Sequence, residues 1–107
     1  MKINITANNI EVTEPLKAHI EERIHSLDKF LSKHDPDNVQ TWVVVARTTN
    51  HHKHGDVYQA EINLRVGGDA FMAKAEGSDM RAVIDEVKDK VKAELIQHKD
   101  KNLRHSE

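Results

Sequence analysis

One ten-residue stretch constrains the fold more than any other. In VYQAEINLRV, residues 57–66, Tyr58, Ala60, Ile62, Leu64 and Val66 alternate with Gln59, Glu61, Asn63 and Arg65. Successive side chains on a strand point to opposite faces, so this pattern predicts a strand with one buried face and one wet face. A sheet built from such strands is covered on one side only, by elements that carry a single apolar stripe. Two segments have that stripe. Leu16, Ile20, Ile24, Leu27 and Leu31 predict a helix over 14–32, with Thr13 as its N-cap and Pro15 in its first turn. Met80, Ile84, Val87, Val91 and Leu95 predict a second helix over 79–101, capped by Ser78.

The other strands follow from shorter signals. KINITA at the start alternates, with Ile3 and Ile5 on one side. VQTWVVVAR, 39–47, is β-branched and apolar on both faces, which suits an interior strand. GGD, 67–69, makes a hairpin turn into a last strand over 70–76, and TTNHHKHGD, 48–56, is a polar loop. The order β-α-β-β-β-α predicts an α+β two-layer sandwich: a four-stranded mixed sheet with both helices packed on one face. A right-handed parallel crossover should come first and an antiparallel meander last. With 107 residues, a single domain over 1–107 is expected, with a disordered tail from about 102.

Composition narrows the function classes. The chain has no cysteine, which removes disulfides, thiolate metal sites and a thiol nucleophile. Neither a membrane-spanning run nor a secretory leader is legible, so the expected location is cytoplasmic. Net charge is −2, yet residues 88–104 hold five lysines and an arginine against three carboxylates. Charge is therefore segregated, not absent. At about 100° per residue, Arg81, Lys88, Lys92 and Lys99 fall within about 20° of one line, a stripe roughly 27 Å long. The stripe flanks the apolar face, and Lys90 and Lys101 sit on the opposite flank. Such a ridge suits a folded RNA, each cation meeting a phosphate and releasing counterions. The same acid-to-base gradient along the helix is what its dipole favours, so a solvated helix end is the competing reading. The first helix adds Lys17, Arg23 and Lys29.

Further features set limits on the rest. The four aromatics, Phe30, Trp42, Tyr58 and Phe71, form no run; Trp42 and Tyr58 read as core. Contact with an RNA should then be to backbone and shape, not by stacking on bases. His51, His52 and His54 with Asp56 could chelate a transition metal, but no second ligand pair supports it, so no metal and no cofactor are expected. No serine lies in a nucleophile elbow, and a one-sided sandwich leaves little room for a small-molecule substrate, so no enzyme is expected.

Both ends of the chain carry a resemblance. NITANNIEVTEPLKAHIEERIHSLDKF and AEGSDMRAVIDEVKDKVKAELIQHKDK resemble the opening and closing segments of the ribosome hibernation promoting factor and ribosome-associated translation inhibitor family. The closing helix in that family is written around D-M-Y-A-A-I-D and a K-H-K-x-K end. The resemblance implies the fold derived above and a non-enzymatic inhibitor. Such a protein binds the small ribosomal subunit through ribosomal RNA, with ribosomal proteins as further contacts. It occludes the channel of mRNA and tRNA, and silences translation in stationary phase or stress. Short members promote inactive ribosome dimers together with a ribosome modulation factor, and this chain looks like a short form, expected to be monomeric off the ribosome.

The family's commonly basic positions match Lys17, Arg23, Lys90, Lys99 and Lys101. Arg81 stands where the family has tyrosine, Ala93 where it has arginine and Gln97 where it has lysine, while Lys88 and Lys92 are additional. The implied RNA surface is thus shifted around the helix. The rival readings are a general structured-RNA-binding module and a protein–protein adaptor using the wet sheet face around Gln59, Glu61, Asn63 and Arg65.

Overall fold

The structure is a computed structural model that describes residues 2–31, 36–49 and 55–105. Four strands, β1 (Lys2–Asn8), β2 (Val39–Thr49), β3 (Asp56–Val66) and β4 (Asp69–Gly77), form one sheet in the order β1-β2-β3-β4. β1 and β2 pair in parallel; the other two pairings are antiparallel. Two helices, α1 (Glu14–His25) and α2 (Met80–His105), supply the second layer. This is the expected α+β sandwich, with β2 in the interior of the sheet.

The buried face is a set of rows that the register fixes. Ile3, Thr41, Leu64 and Phe71 lie side by side, and the next row is Ile5, Val43, Ile62 and Ala73. Against these rows pack Ile20, Ile24 and Leu27 from the first helical segment and Val83, Ile84, Val87, Val91 and Leu95 from α2, all buried. Tyr58 is half-buried and packs on this core, as its position predicts.

Trp42 does not join it. It is 37% exposed and lies on the open face, directly opposite Asn4 on one side and Asn63 on the other. The inward row of β2 is instead Val39, Thr41, Val43 and Val45. The register forces the choice: Val43 pairs with Ile62, so the even-numbered residues of β2 share a face with the polar residues of β3.

Local chemistry explains where the helices differ from expectation. Thr13 caps α1 as predicted, its hydroxyl accepting from Leu16 N–H at 3.4 Å. The helix stops at His25, not at 32. The Ser26 hydroxyl donates back to the Arg23 carbonyl, and the chain tightens into a 3-10 turn over Asp28–Phe30. Leu27 N–H then bonds Ile24 C=O, and Phe30 N–H bonds Leu27 C=O. Leu27 and Leu31 stay buried through this change of helix type.

At α2 the cap is Asp79, whose carboxylate accepts from Arg81 N–H at 3.2 Å, and not Ser78. An acidic cap adds a favourable charge at the positive end of the helix dipole. α2 continues to His105, over the stretch for which a disordered tail from about 102 is expected. His98 ties its far end to β4, with Nε2 3.1 Å from Asp69 Oδ2 and the Phe71 ring edge-on at 5.3 Å. The β3–β4 turn is Gly67–Gly68; Gly67 has φ +58°, where a side chain would be strained.

Thr41 is fully buried, and its hydroxyl has no hydrogen-bond partner among the described residues. A buried polar group without a partner costs about 1–3 kcal/mol. Thr41→Val keeps the shape and removes the hydroxyl. It should raise stability by about 1 kcal/mol, read as a thermal midpoint roughly 4–8 °C higher by circular dichroism. An unchanged or lower midpoint would show that the hydroxyl is satisfied in solution.

Candidate nucleic-acid interface

Because both helices share one face of the sheet, they lie side by side, and the cationic stripe of α2 faces the groove between them. The link across that groove is ionic. Arg23 Nε donates to Asp85 Oδ1 at 2.7 Å, and His19 Nε2 lies 3.0 Å from the same oxygen. The carboxylate can only accept, so the His19 ring nitrogen is the donor. Arg23 Nη1 also reaches Glu22 Oε1 at 2.9 Å.

Burial by itself pushes the Asp85 carboxyl up. The Arg23 hydrogen bond and charge, with His19 adding to both, outweigh this and hold it below the usual carboxylate range. Arg23 is raised in turn, chiefly by its hydrogen bond to Asp85. Arg23 is thus a positioning cation, engaged on two carboxylates, and offers less free charge than its place in the sequence suggests.

The free charge of the groove lies further along. The 3-10 turn after α1 swings Lys29 and Phe30 towards α2. Lys29 Nζ lies 5.3 Å and Lys92 Nζ 5.7 Å from the centroid of the Phe30 ring, so the two ammonium groups are no more than about 11 Å apart. Both are within the roughly 6 Å range of a cation–π contact, which draws cations from two elements to one half-buried aromatic. Lys92 has its charge there without a carboxylate partner among the described residues. Arg81 is exposed at the start of the stripe. Lys88 is mostly covered, with 17% of its side chain exposed, and bonds Asp89 at 2.7 Å. The backbone of α2 places Lys99 on the same line.

Three of the expected site residues lie elsewhere. Lys17 sits about 120° around α1 from Arg23, on the flank away from α2, near Glu21 at 4.0 Å. Lys90 is on the β4 side of α2, where it donates to the Lys74 carbonyl at 2.8 Å; the pairing of Lys90 with Glu94 that its spacing allows is not used. Lys101 follows on that same side by its helical position. The nine candidate residues therefore divide into a groove set (Arg23, Lys29, Arg81, Lys88, Lys92), Lys99 in line with it further along α2, and three outliers. Phe30 is a site residue that the sequence reading misses; the signal for it is a Lys-Phe pair next to the end of an apolar stripe.

Among the described residues, two further depressions are open to solvent. Open depressions of about 600 Å3 lie at Asn9, Ile10, Glu11, Arg47 and Thr48, and of about 610 Å3 along Gln59, Glu61, Lys74, Glu76 and Lys90. The candidate metal ligands His51, His52 and His54 lie outside the described residues. Among the described residues no group of three metal-ligating side chains converges. No described helix is long and apolar enough to cross a membrane.

Residues 3–103 match the family described as Sigma 54 modulation protein / S30EA ribosomal protein. The chain belongs to this family. The ribosome hibernation promoting factor of Escherichia coli (strain K12) is 34% identical over 98% of this chain and 100% of its own length. That of Azotobacter vinelandii is 32% identical over 96% of this chain and 87% of its own. Among solved structures, the Thermus thermophilus Protein Y N-terminal domain superposes with a TM-score of 0.74 at 19% identity, covering 92% of this chain and 99% of that one. A ribosomal subunit interface protein from Coxiella burnetii gives 0.71 at 19% identity, over 94% and 99%. These two likenesses establish the fold, and the family assignment rests on the sequence matches.

The Arg23–Asp85 link makes an acid-sensitive prediction. A carboxyl whose folded pKa is depressed contributes stability above its unfolded value, lost as pH falls through its folded value. Asp85→Asn should lower the thermal midpoint by a few degrees at pH 7. The gap to the wild type should close as pH falls from about 4 towards 2, as measured by thermal unfolding across pH. A gap that persists unchanged at the acid end would mean that shape, not charge, is what Asp85 supplies.

Proposed function

We propose that this protein is a non-enzymatic ribosome hibernation factor. It binds the small ribosomal subunit through ribosomal RNA, occludes the path of mRNA and tRNA, and holds the ribosome idle in stationary phase or stress. Family membership and full-length similarity to ribosome hibernation promoting factors support the ribosome as partner. The observation that carries the RNA contact is the groove, where Lys29 and Lys92 converge on Phe30 in line with Arg81. Lys88 and Lys99 extend the line, and Lys17, Lys90 and Lys101 contribute from the flanks.

The mechanism is occlusion by a rigid body. Helices held on a sheet by a packed core do not rearrange to bind, so little ordering entropy is lost on docking. The cations neutralise phosphates and release counterions, which sets affinity and makes it salt-dependent. Nothing in this mechanism calls for a cofactor, a metal or a small-molecule substrate. Ribosomal proteins add contacts, a ribosome modulation factor acts beside it where inactive dimers form, and the protein works in the cytoplasm as a monomer until it docks.

Co-sedimentation with purified small subunits at about 50 and 200 mM salt tests the proposal. Binding should be tight at the lower salt and fall steeply at the higher. The triple variant Arg81→Glu, Lys29→Glu, Lys92→Glu should lose at least 100-fold in affinity. Each cation removed should flatten the log–log salt slope by about one. Lys17→Glu should cost less than any single groove change. Absence from the pelleted subunits at low salt would reject the proposal. Undiminished binding of the triple variant would move the contact off the groove.

A further inference from the structure

The open face of the sheet carries a second constellation that the groove does not use. Trp42 (37% exposed) and Met72 (53% exposed) share one cross-strand row with Asn4 and Asn63, in the order Asn4, Trp42, Asn63, Met72. Two strand spacings separate Trp42 from Met72, so these two apolar side chains stand about 10 Å apart with Asn63 between them. The neighbouring row towards the sheet's end is Lys2, Gln40, Arg65 and Ala70. Trp42, Asn63, Arg65, Ala70 and Met72 line a depression of about 200 Å3. That is below the roughly 300 Å3 of a pocket for a whole small molecule, and suits one planar ring laid against an indole.

Charge decides what kind of ring. The two rows hold two cations, Lys2 and Arg65, three side-chain amides, and no carboxylate at any strand position. Lys2 and Arg65 are exposed, and neither has an ion-pair partner among the described residues. On this face the nearest acidic strand position, Glu61, is one row further on and is engaged by Lys74 at 3.7 Å. An aromatic platform, amides able to pair with base edges and unpaired cations for the adjoining phosphates are the parts of a single-stranded RNA site.

The geometry points to a second RNA contact on this face. An unpaired nucleotide stacks on Trp42, Asn63 and Gln40 meet its base edge, and Arg65 and Lys2 meet the flanking phosphates. The domain would then grip RNA on both faces, by charge in the helix groove and by stacking on the open sheet. This reverses the expectation of backbone-only contact, because that expectation placed Trp42 in the core. The inference goes beyond the proposed ribosome contact and does not depend on it.

Trp42 is the only tryptophan in the chain, so its intrinsic fluorescence reports on this site alone. Titration of the purified protein with single-stranded ten-nucleotide oligoadenylate should quench it saturably, and a duplex of the same length should not. Anisotropy of a labelled oligonucleotide, which needs no tryptophan, should show Trp42→Ala binding about 5- to 100-fold more weakly, the range for one stacked base. Trp42→Phe should keep most of the affinity. Arg65→Glu should weaken binding without changing the circular dichroism spectrum. Lys29→Glu with Lys92→Glu should leave the quench in place, which separates this site from the groove. The proposal is overturned by any of three results. These are no saturable quench, undiminished oligonucleotide binding by Trp42→Ala, and a quench produced by RNA-free ribosomal protein but not by the oligonucleotide.

Discussion

Everything in this molecule depends on the one-sided burial of its sheet. The apolar rows of β2 and β3 need cover, the polar residues of β3 must stay in water, and both helices are therefore confined to the same face. Two helices on one four-stranded sheet have to lie next to each other. Their inner flanks then form a groove whose chemistry is set by residues just outside each apolar stripe. On α1 these are His19 and Arg23, on α2 Asp85, Lys88 and Lys92. The groove is a by-product of packing, and its charge is what the chain has placed there.

That charge is divided by depth and position. Near the start of α2, Asp85 consumes Arg23 and His19 and locks the helices together. Further along, where the 3-10 turn crosses, no carboxylate among the described residues answers Lys29 and Lys92; an aromatic ring does. A ring quadrupole attracts a cation without cancelling its charge, so these ammonium groups keep their field for a partner. One end of the groove is structural glue and the other is an electrostatic surface. This reconciles the two readings of the basic helix that the sequence alone leaves open: its dipole-favoured gradient and its fitness for phosphate coexist on one stripe.

How much of this was legible follows from which signals are local. Strand alternation and helical spacing are local, and they gave the element order, the sheet's single buried face and the angular position of the stripe. Side-chain partners are not local. Nothing in the residues around Arg23 announces a carboxylate sixty-two positions away, and nothing around Lys88 says that it bonds Asp89 while Lys92 stays open. Ser26 ends α1 by a bond to its own preceding turn, a competition that the apolar spacing of Leu27 and Leu31 hides. The family resemblance anticipated the ribosome-related fold and family, and it ranked basic positions by kinship, not by exposure; Lys17 and Lys90 match the pattern and lie off the groove.

Trp42 faces outward, against its sequence pattern, for a related reason, and the cost of that position can be read in the core. β2 offers two apolar faces, and single-strand periodicity does not say which goes inward. The size of tryptophan argues for burying it. Pairing with β3 decides otherwise: with Ile62 and Leu64 facing the helices, their partners Val43 and Thr41 must face them too. The chain thereby buries a threonine hydroxyl with no described partner and leaves its only tryptophan in water. Turning β2 over with this pairing kept would exchange the two and relieve both costs, but β3 would turn with it and carry Glu61 and Arg65 into the core. The hydroxyl is worth about 1–3 kcal/mol and two buried charges much more, so with this pairing the observed choice of inward face wins by a wide margin. The exposed indole is therefore imposed by the fold, and the proposed RNA contact rests on the cations and amides around it, whose cations have no ion-pair partner among the described residues.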